Sequence, residues 1–253
     1  MYTGDMNAAL RKHRFIPLPG ELQALFDAVS SNFKLAGSAK TENQESTELI
    51  AGFQQFLSIQ KQLEMANGSA DPDISSTEIT ELGEFGLGLI NHLGEVAREQ
   101  KLVETNIALA AITIGVADWI MTNHGRIVIL EPVVDAIAAE ANATSDHRTL
   151  ANMADFMGRV AASCTDVIKH DLGVENPRRP WRLLQVNRGI TATRSHSRQT
   201  MIRVFDDLVM AIPHEAPAFF TEGMREMDSQ NYPDFIREVM HEYYEKHSHP
   251  RGH

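Results

Sequence analysis

Residues 176–205 contain seven arginines and no Asp, Glu or Lys. A guanidinium group donates two parallel hydrogen bonds to a carboxylate or a phosphate, and it tolerates partial burial better than an ammonium group does. Serine, threonine, asparagine and glutamine side chains in the same segment add further hydrogen-bonding groups. The pattern therefore predicts an anion-binding site lined by a helix. The seven residues are Arg178, Arg179, Arg182, Arg188, Arg194, Arg198 and Arg203.

The helix predicted over this segment covers residues 181–211, with Gly189 as the candidate break. In an unbroken helix, four polar residues recur at steps of four, three and four, which places them on one face. They are Asn187, Thr191, Arg194 and Arg198. His196 is the only side chain of the segment that ordinarily titrates near neutral pH. The predicted binding residues are Arg178, Arg179, Trp181, Arg182, Asn187, Arg194, His196 and Arg198, and no catalytic residue is predicted.

The opposite charge is concentrated in residues 41–104, where twelve acids face three basic residues and give a local net charge of −9. Three interpretations of the arginine segment stay open on this pattern. Its helix forms structural ion pairs with the acidic helices, within the monomer or across a dimer. Alternatively, it presents a surface that recognises an acidic peptide or a phosphate, or it lines an enzyme active site. The last is the least favoured, because the segment lacks an acid, and catalysis needs a base, an acid or a nucleophile.

Function is therefore expected from binding. The first expectation is a non-catalytic helical scaffold or interaction module that binds a protein or an acidic peptide. The alternative is the binding or processing of a small phosphorylated or carboxylated ligand at the arginine-rich helix. The sequence leaves enzymatic activity uncertain, leaning against it.

Known cofactor and metal motifs are not found along the chain. The glycines between Gly83 and Gly94 lack the order of a phosphate-binding loop and lie inside a helical pattern, so close helix packing or local flexibility is the preferred explanation. Glu238 and His241 form one E-x-x-H step, whereas di-iron bundles need that step twice. The apolar residues of the same helix place these side chains towards water. The sequence therefore predicts no cofactor and no metal site.

Composition and charge limit the environment and the partners. A net charge of −11 argues against general nucleic-acid binding, because phosphate backbones need a compensating basic surface. The single cysteine, Cys164, excludes an internal disulfide framework. The first residues lack the apolar core of a signal peptide. The longest apolar run, Ile107 to Met121, is shorter than the roughly 20 residues that a bilayer needs and contains Asp118. These features predict a cytoplasmic protein with no membrane segment.

Apolar residues recur at helical spacing along most of the chain, and no alternating run is long enough to indicate a sheet. Ser75 and Glu78 form a capping-box pattern at the start of one helix. Residues 102–123 are apolar almost all round, which indicates a helix buried on several sides. About nine or ten helices joined by short loops predict an all-α fold. The expected architecture is an irregular α–α superhelix of antiparallel helix pairs, and a closed helical bundle is the alternative.

The domain prediction has three parts. Residues 1–20 form a flexible N-terminal arm, residues 21–246 form a single all-helical domain with a sub-boundary at 67–75, and residues 247–253 form a disordered tail. The separated acidic and arginine-rich segments are complementary, so a homodimer is also predicted. Trp181, Leu183 and Leu184 would supply its apolar centre.

Overall fold

A computed structural model of the chain describes residues 15–37, 44–66, 74–170 and 176–248. Within these ranges it contains eleven α-helices and no strand, which confirms the predicted all-α class. The helices are α1 (Pro19–Gly37), α2 (Gln44–Ala66), α3 (Ser76–Glu99), α4 (Val103–Thr122), α5 (Glu131–Ala143), α6 (His147–Ser163), α7 (Asp166–Lys169), α8 (Pro180–Arg194), α9 (Arg198–Ala211), α10 (Ala216–Ser229) and α11 (Asp234–His247).

The chain groups into two compact units. The first extends to Ala139 and also includes Ser163–Thr165, and the second consists of Glu140–Ala162 and the residues from Asp166 onward. Most of the predicted arm (1–14), most of the predicted sub-boundary (67–73) and the end of the predicted tail (249–253) lie outside the described residues. The superhelix and the division into domains stay predictions.

The first unit is built around α4, which packs against α1 and α3, while α2 packs against α3. A row of aromatic rings fills its interior, with ring centroids 4.8 Å apart for Phe26 and Phe53, 5.2 Å for Phe53 and Phe56, and 6.0 Å for Phe56 and Trp119. Helix α4 is long and apolar enough to cross a membrane by length and composition alone. In this fold, 61% of its apolar stretch is buried, and core helices of soluble proteins have the same length and composition.

Two helix ends in the first unit follow from local chemistry. The capping box at α3 is present as predicted: the backbone N–H of Glu78 donates to the Ser75 hydroxyl at 3.2 Å, and the Ser75 N–H donates to the Glu78 carboxylate at 2.8 Å. Helix α4 ends where predicted, and the residue that follows its C-cap in a left-handed conformation is His124, at φ +63°. Gly125 is required for packing, because a Cβ there would lie 2.7 Å from the Ile79 side chain.

In the second unit, α8 packs against α9, α10 packs against α11, and α9 packs against α11. Phe205 is at the centre of an aromatic cluster, with its ring centroid 5.2 Å from those of Phe220 and Tyr243. The Tyr243 hydroxyl donates to Asp206 at 2.6 Å. Burial, followed by this hydrogen bond, raises the pKa of Tyr243 well above its usual range. The second unit therefore has its own core, which places the walls of the pocket described below.

The helix is not broken at Gly189, which the sequence offered as the candidate break. Helix α8 continues through Gly189 to Arg194. The Phe219 ring occupies the space beside this glycine, so a Cβ there would lie 2.5 Å from the ring. The chain turns instead at His196, which has φ +51°, and α9 starts after Ser197, whose hydroxyl accepts from the Thr200 N–H. Arg198 therefore begins a new helix and does not continue the face of Asn187, Thr191 and Arg194.

Candidate functional site

Most arginines of the segment 176–205 form ion pairs inside the second unit. Arg179 and Arg188 are buried. Arg179 pairs with Glu215, and the Arg188 guanidinium lies 2.8 Å from the Asp207 carboxylate while its Nε–H donates to the Ala154 carbonyl at 3.1 Å. Two exposed pairs add to these, Arg203 with Asp155 and Arg198 with Glu238. The partner acids lie on or beside α6, α9, α10 and α11, so these pairs are not made with residues 41–104.

Arg194 has a different environment. One of its terminal nitrogens donates to the Ala141 carbonyl at 2.9 Å and the other to the Thr144 carbonyl at 2.8 Å. These carbonyls lie at the C-terminal end of α5, where backbone oxygens lack helical partners and the helix dipole is negative. Arg194 therefore caps a helix through two of its five N–H donors.

The second unit contains a pocket of about 760 Å³, a size typical of small-molecule sites. Helices α8 and α10 supply two of its walls, and α6, α11 and the segment between α10 and α11 complete it. The α8 wall is formed by Arg182, Val186, Ile190, Thr193 and Arg194, followed by His196. The α10 wall is formed by Glu215, Ala218, Phe219, Glu222, Gly223, Glu226, Met227 and Gln230. Both sets recur at helical spacing, so each wall is one continuous helix face.

Two histidines and a tyrosine meet at one part of this lining. The His147 ring stacks on the His196 ring, with centroids 4.0 Å apart and planes at 24°, and Tyr232 meets His196 edge-on at 5.6 Å. His147 Nδ1 lies 2.9 Å from the Arg194 carbonyl. Because a carbonyl only accepts, Nδ1 carries the proton of the neutral ring. The three rings thus form a compact aromatic group that can donate and accept hydrogen bonds.

The titration of these groups follows from their surroundings. Burial lowers the pKa of His196, and the proximity of His147 lowers it further, so His196 is neutral at pH 7. Burial raises the pKa of Tyr232; Glu226 raises it further, and Arg194 opposes the rise. Tyr232 is therefore a protonated phenol at neutral pH, and both the Glu226 carboxylate and the Arg194 guanidinium act on it electrostatically.

The remaining lining is largely apolar, and two glycines shape it. Leu150, Val186 and Ile190 line the pocket together with Phe219, Met227 and Met240. A Cβ at Gly223 would lie 2.5 Å from the Met240 sulfur, and a Cβ at Gly189 would lie 2.5 Å from the Phe219 ring. The two glycines let these large side chains approach the helix backbones. The pocket therefore combines an apolar surface with a polar group of rings and charges.

The structure brings three of the predicted binding residues into the pocket, namely Arg182, Arg194 and His196. The other five lie outside its lining. Arg179 is engaged with Glu215, Trp181 is buried and its indole N–H donates to the Ala211 carbonyl at 3.4 Å, and Arg198 pairs with Glu238. Arg178 is exposed, and Asn187 is half-buried on α8.

Sequence reasoning missed His147, Tyr232 and the whole α10 wall. The available signal was the spacing of residues 215–230, in which glutamates alternate with apolar residues and a glycine at every third or fourth position. An ordinary amphipathic helix shows the same pattern where its apolar face meets its polar face, so the spacing alone does not indicate a pocket.

Other parts of the described chain contain a smaller cavity and no candidate metal site. A cavity of about 390 Å³ in the first unit is lined by α3, α4 and α5, and its charged groups are Arg98 and Asp135. No group of three or more His, Cys, Asp or Glu side chains in the described ranges is arranged to hold a metal ion. Glu238 and His241, the E-x-x-H step of the sequence, lie exposed on α11.

No family model, curated protein or solved structure matches this chain.

Proposed function

We propose that the second unit is a binding module for a small amphipathic molecule, held in the pocket lined by α8 and α10. The observation that carries this proposal is the pocket itself. Its volume of about 760 Å³ is typical of a small-molecule site, most of the surface that it exposes is apolar, and charged and polar side chains also line it. Such a surface favours a ligand with an apolar body and a polar head group.

This proposal takes up the small-ligand expectation of the sequence rather than the peptide-binding one. An acidic peptide needs several accessible arginines on one surface. Here Arg179 and Arg188 are buried in ion pairs, Arg203 pairs with Asp155, and Arg198 begins a separate helix. The arginines that remain next to a concave surface are Arg182 and Arg194, which suits one small head group better than an extended chain.

The test fills the pocket. Ala218 is exposed and lies on the α10 wall, so Ala218→Trp places an indole in the cavity without replacing a core residue. Met210 is 83% exposed on α9 and lies outside the lining, so Met210→Trp is the matched control. Thermal unfolding of the full chain is followed with aromatic and aliphatic acids, amines and amino acids. A ligand at about 100 times its dissociation constant should stabilise the folded chain by about 2.7 kcal/mol.

We expect at least one of these compounds to stabilise the wild type and Met210→Trp but not Ala218→Trp. The proposal is contradicted if the whole panel leaves the wild type unchanged. It is equally contradicted if Ala218→Trp, folded to the same helical content, responds as strongly as the wild type.

A further inference from the structure

Five formally charged side chains line the pocket, and three of them have an ion-pair partner. Glu215 pairs with Arg179 and lies 3.9 Å from Arg182, and Glu222 lies 2.9 Å from Arg225. The other two, Arg194 and Glu226, have no oppositely charged partner among the described residues. Arg194 donates to two backbone carbonyls, and Glu226 accepts from the Gln230 side-chain amide at 2.8 Å. The uncompensated charges in the lining are therefore one cation and one anion.

These two charged side chains line the same pocket as the group of rings. The backbone carbonyl of Arg194 lies 2.9 Å from His147 Nδ1, and His147 stacks on His196, which contacts Tyr232. Both Arg194 and Glu226 act electrostatically on Tyr232, in opposite directions. A single small head group at the rings can therefore be near both of them.

From this arrangement we infer that the ligand is a zwitterion with a large apolar part, such as an amino acid with an aromatic or a long aliphatic side chain. This inference rests on the proposed function of the pocket. The carboxylate of the ligand binds the N–H donors of Arg194 that the carbonyls do not use. Its ammonium group binds Glu226, and its apolar part lies against Phe219, Met227 and Met240.

A ligand with one charge fits less well. When a bound molecule excludes water, a charged group that is left without a partner loses solvation and gains nothing in return. A simple anion would leave Glu226 in that situation, and a simple cation would leave Arg194 in it. Only a molecule that carries both charges compensates both residues.

The test uses three probes with the same indole body: L-tryptophan carries both charges, indole-3-propionate only the carboxylate, and tryptamine only the amine. Dissociation constants are measured by titration calorimetry on the full chain. We expect tryptophan to bind at least about tenfold more tightly than either single-charge probe, since a hydrogen bond to a charged group contributes about 1.5–3 kcal/mol.

The variant Glu226→Gln separates the two contacts. It should lower the affinity for tryptophan, whose ammonium group loses its partner, and raise the affinity for indole-3-propionate, which then leaves no carboxylate uncompensated. Glu226 is exposed, and among the described residues the one hydrogen bond of its carboxylate is that from the Gln230 amide, so the variant keeps the fold. Glu222→Gln is the matched control, because Glu222 lines the same wall but is already paired with Arg225; it should keep the preference for tryptophan. Arg194→Gln would also remove the cap of α5, so its effect would not isolate the contact with the ligand.

The outcomes distinguish the inference from the proposed function. If indole-3-propionate or tryptamine binds as tightly as tryptophan and Ala218→Trp abolishes that binding, the pocket is a ligand site and the zwitterion is wrong. If tryptophan binds equally well to Ala218→Trp, the site lies elsewhere and both are wrong. If none of the three probes binds, the zwitterion inference is overturned, while the broader panel decides the function of the pocket.

Discussion

His196 has a backbone conformation that side-chain-bearing residues seldom adopt, with φ +51° at the turn between α8 and α9. Its ring stacks on that of His147 and meets that of Tyr232 edge-on. Arg194, two residues earlier, adds a positive charge to the same pocket wall. If both stacked imidazole rings were protonated to the cationic form, two positive charges would lie about 4 Å apart.

A pH dependence follows from this arrangement. The pKa of His196 in the folded chain lies below its ordinary value of 6.5, so the unfolded chain takes up the proton first as the pH falls. The stability that neutral His196 contributes is fully present above that ordinary pKa. It is lost as the pH falls through the lower folded value.

His196→Asn tests this, because asparagine tolerates a positive φ but does not titrate. Between about pH 7.5 and about pH 5.5, we expect the free energy of unfolding to fall less in the variant than in the wild type, as measured by urea denaturation at each pH. The exposed His92 on α3 offers the matched control, His92→Asn, which removes a histidine without touching this turn. Equal slopes for wild type and His196→Asn would contradict the argument.

At this scale, the sequence could identify the residues that stand out by type but not their partners. Arg182, Arg194 and His196 are visible because seven arginines within one stretch are unusual. Glu226 and Tyr232 are an ordinary helix glutamate and a loop tyrosine, and they become part of the site only through tertiary packing. For the same reason the sequence could not tell that Arg179 is engaged with Glu215, 36 residues away along the chain.

Among the helices, α3 shows how much a glycine depends on its neighbours. A Cβ at Gly83 would lie 2.5 Å from the Ile120 side chain on α4, and a Cβ at Gly86 would lie 2.6 Å from the Phe56 ring on α2. At Gly88 the nearest atom is in Ile129, at an ordinary contact distance of 3.7 Å. The first two glycines serve close helix packing, which was one of the sequence interpretations, whereas the third leaves room for a methyl group.

Gly86→Ala and Gly88→Ala should therefore have opposite effects. Gly86→Ala forces the Phe56 ring out of its place and should destabilise the fold by about 1–3 kcal/mol. Gly88→Ala restricts the unfolded chain and suits a helix interior, so it should stabilise by about 0.5–1 kcal/mol. Chemical denaturation of the two variants gives both values. The packing argument does not survive if the two changes have the same sign.

Helix limits could be predicted from the sequence where a local signal sets them, and not elsewhere. The capping box of Ser75 and Glu78 is such a signal, and α3 begins there. The end of α8 has no such signal: Gly189 was one candidate for a break, but Phe219, from α10, packs on it and the helix continues to Arg194. A glycine is a helix breaker or a packing site depending on residues that local sequence does not reveal.

For the whole molecule, helical periodicity was sufficient to predict an all-α chain, and it was not sufficient to predict the two units. The segment 67–75 stood out as the boundary by composition. The chain first passes from one unit to the other at residues 139–140, inside α5, where no loop residue marks a boundary.

Self-association is a prediction at this scale. The separated charges of the sequence predict a homodimer with about twice the 28.2 kDa of one chain at micromolar concentration and low salt, measured by light scattering. High salt should weaken it, because exposed charge pairs are screened. A mass of 28.2 kDa at low salt would exclude the dimer, and a dimer that salt does not affect would exclude the charge mechanism.

The parallel bridge between Ile127 and Cys164 has a consequence for how the protein is made. The Ile127 N–H donates to the Ser163 carbonyl, and the Thr165 N–H donates to the Ile127 carbonyl, so Ser163–Thr165 complete the first unit. The chain emerges from the ribosome from its N-terminus, and domains commonly fold in that order. Here the first unit receives its last three residues only after 140–162, part of the second unit, have been synthesised. The first unit is therefore not complete until part of the second unit has been synthesised, so the two units cannot fold strictly one after the other during translation.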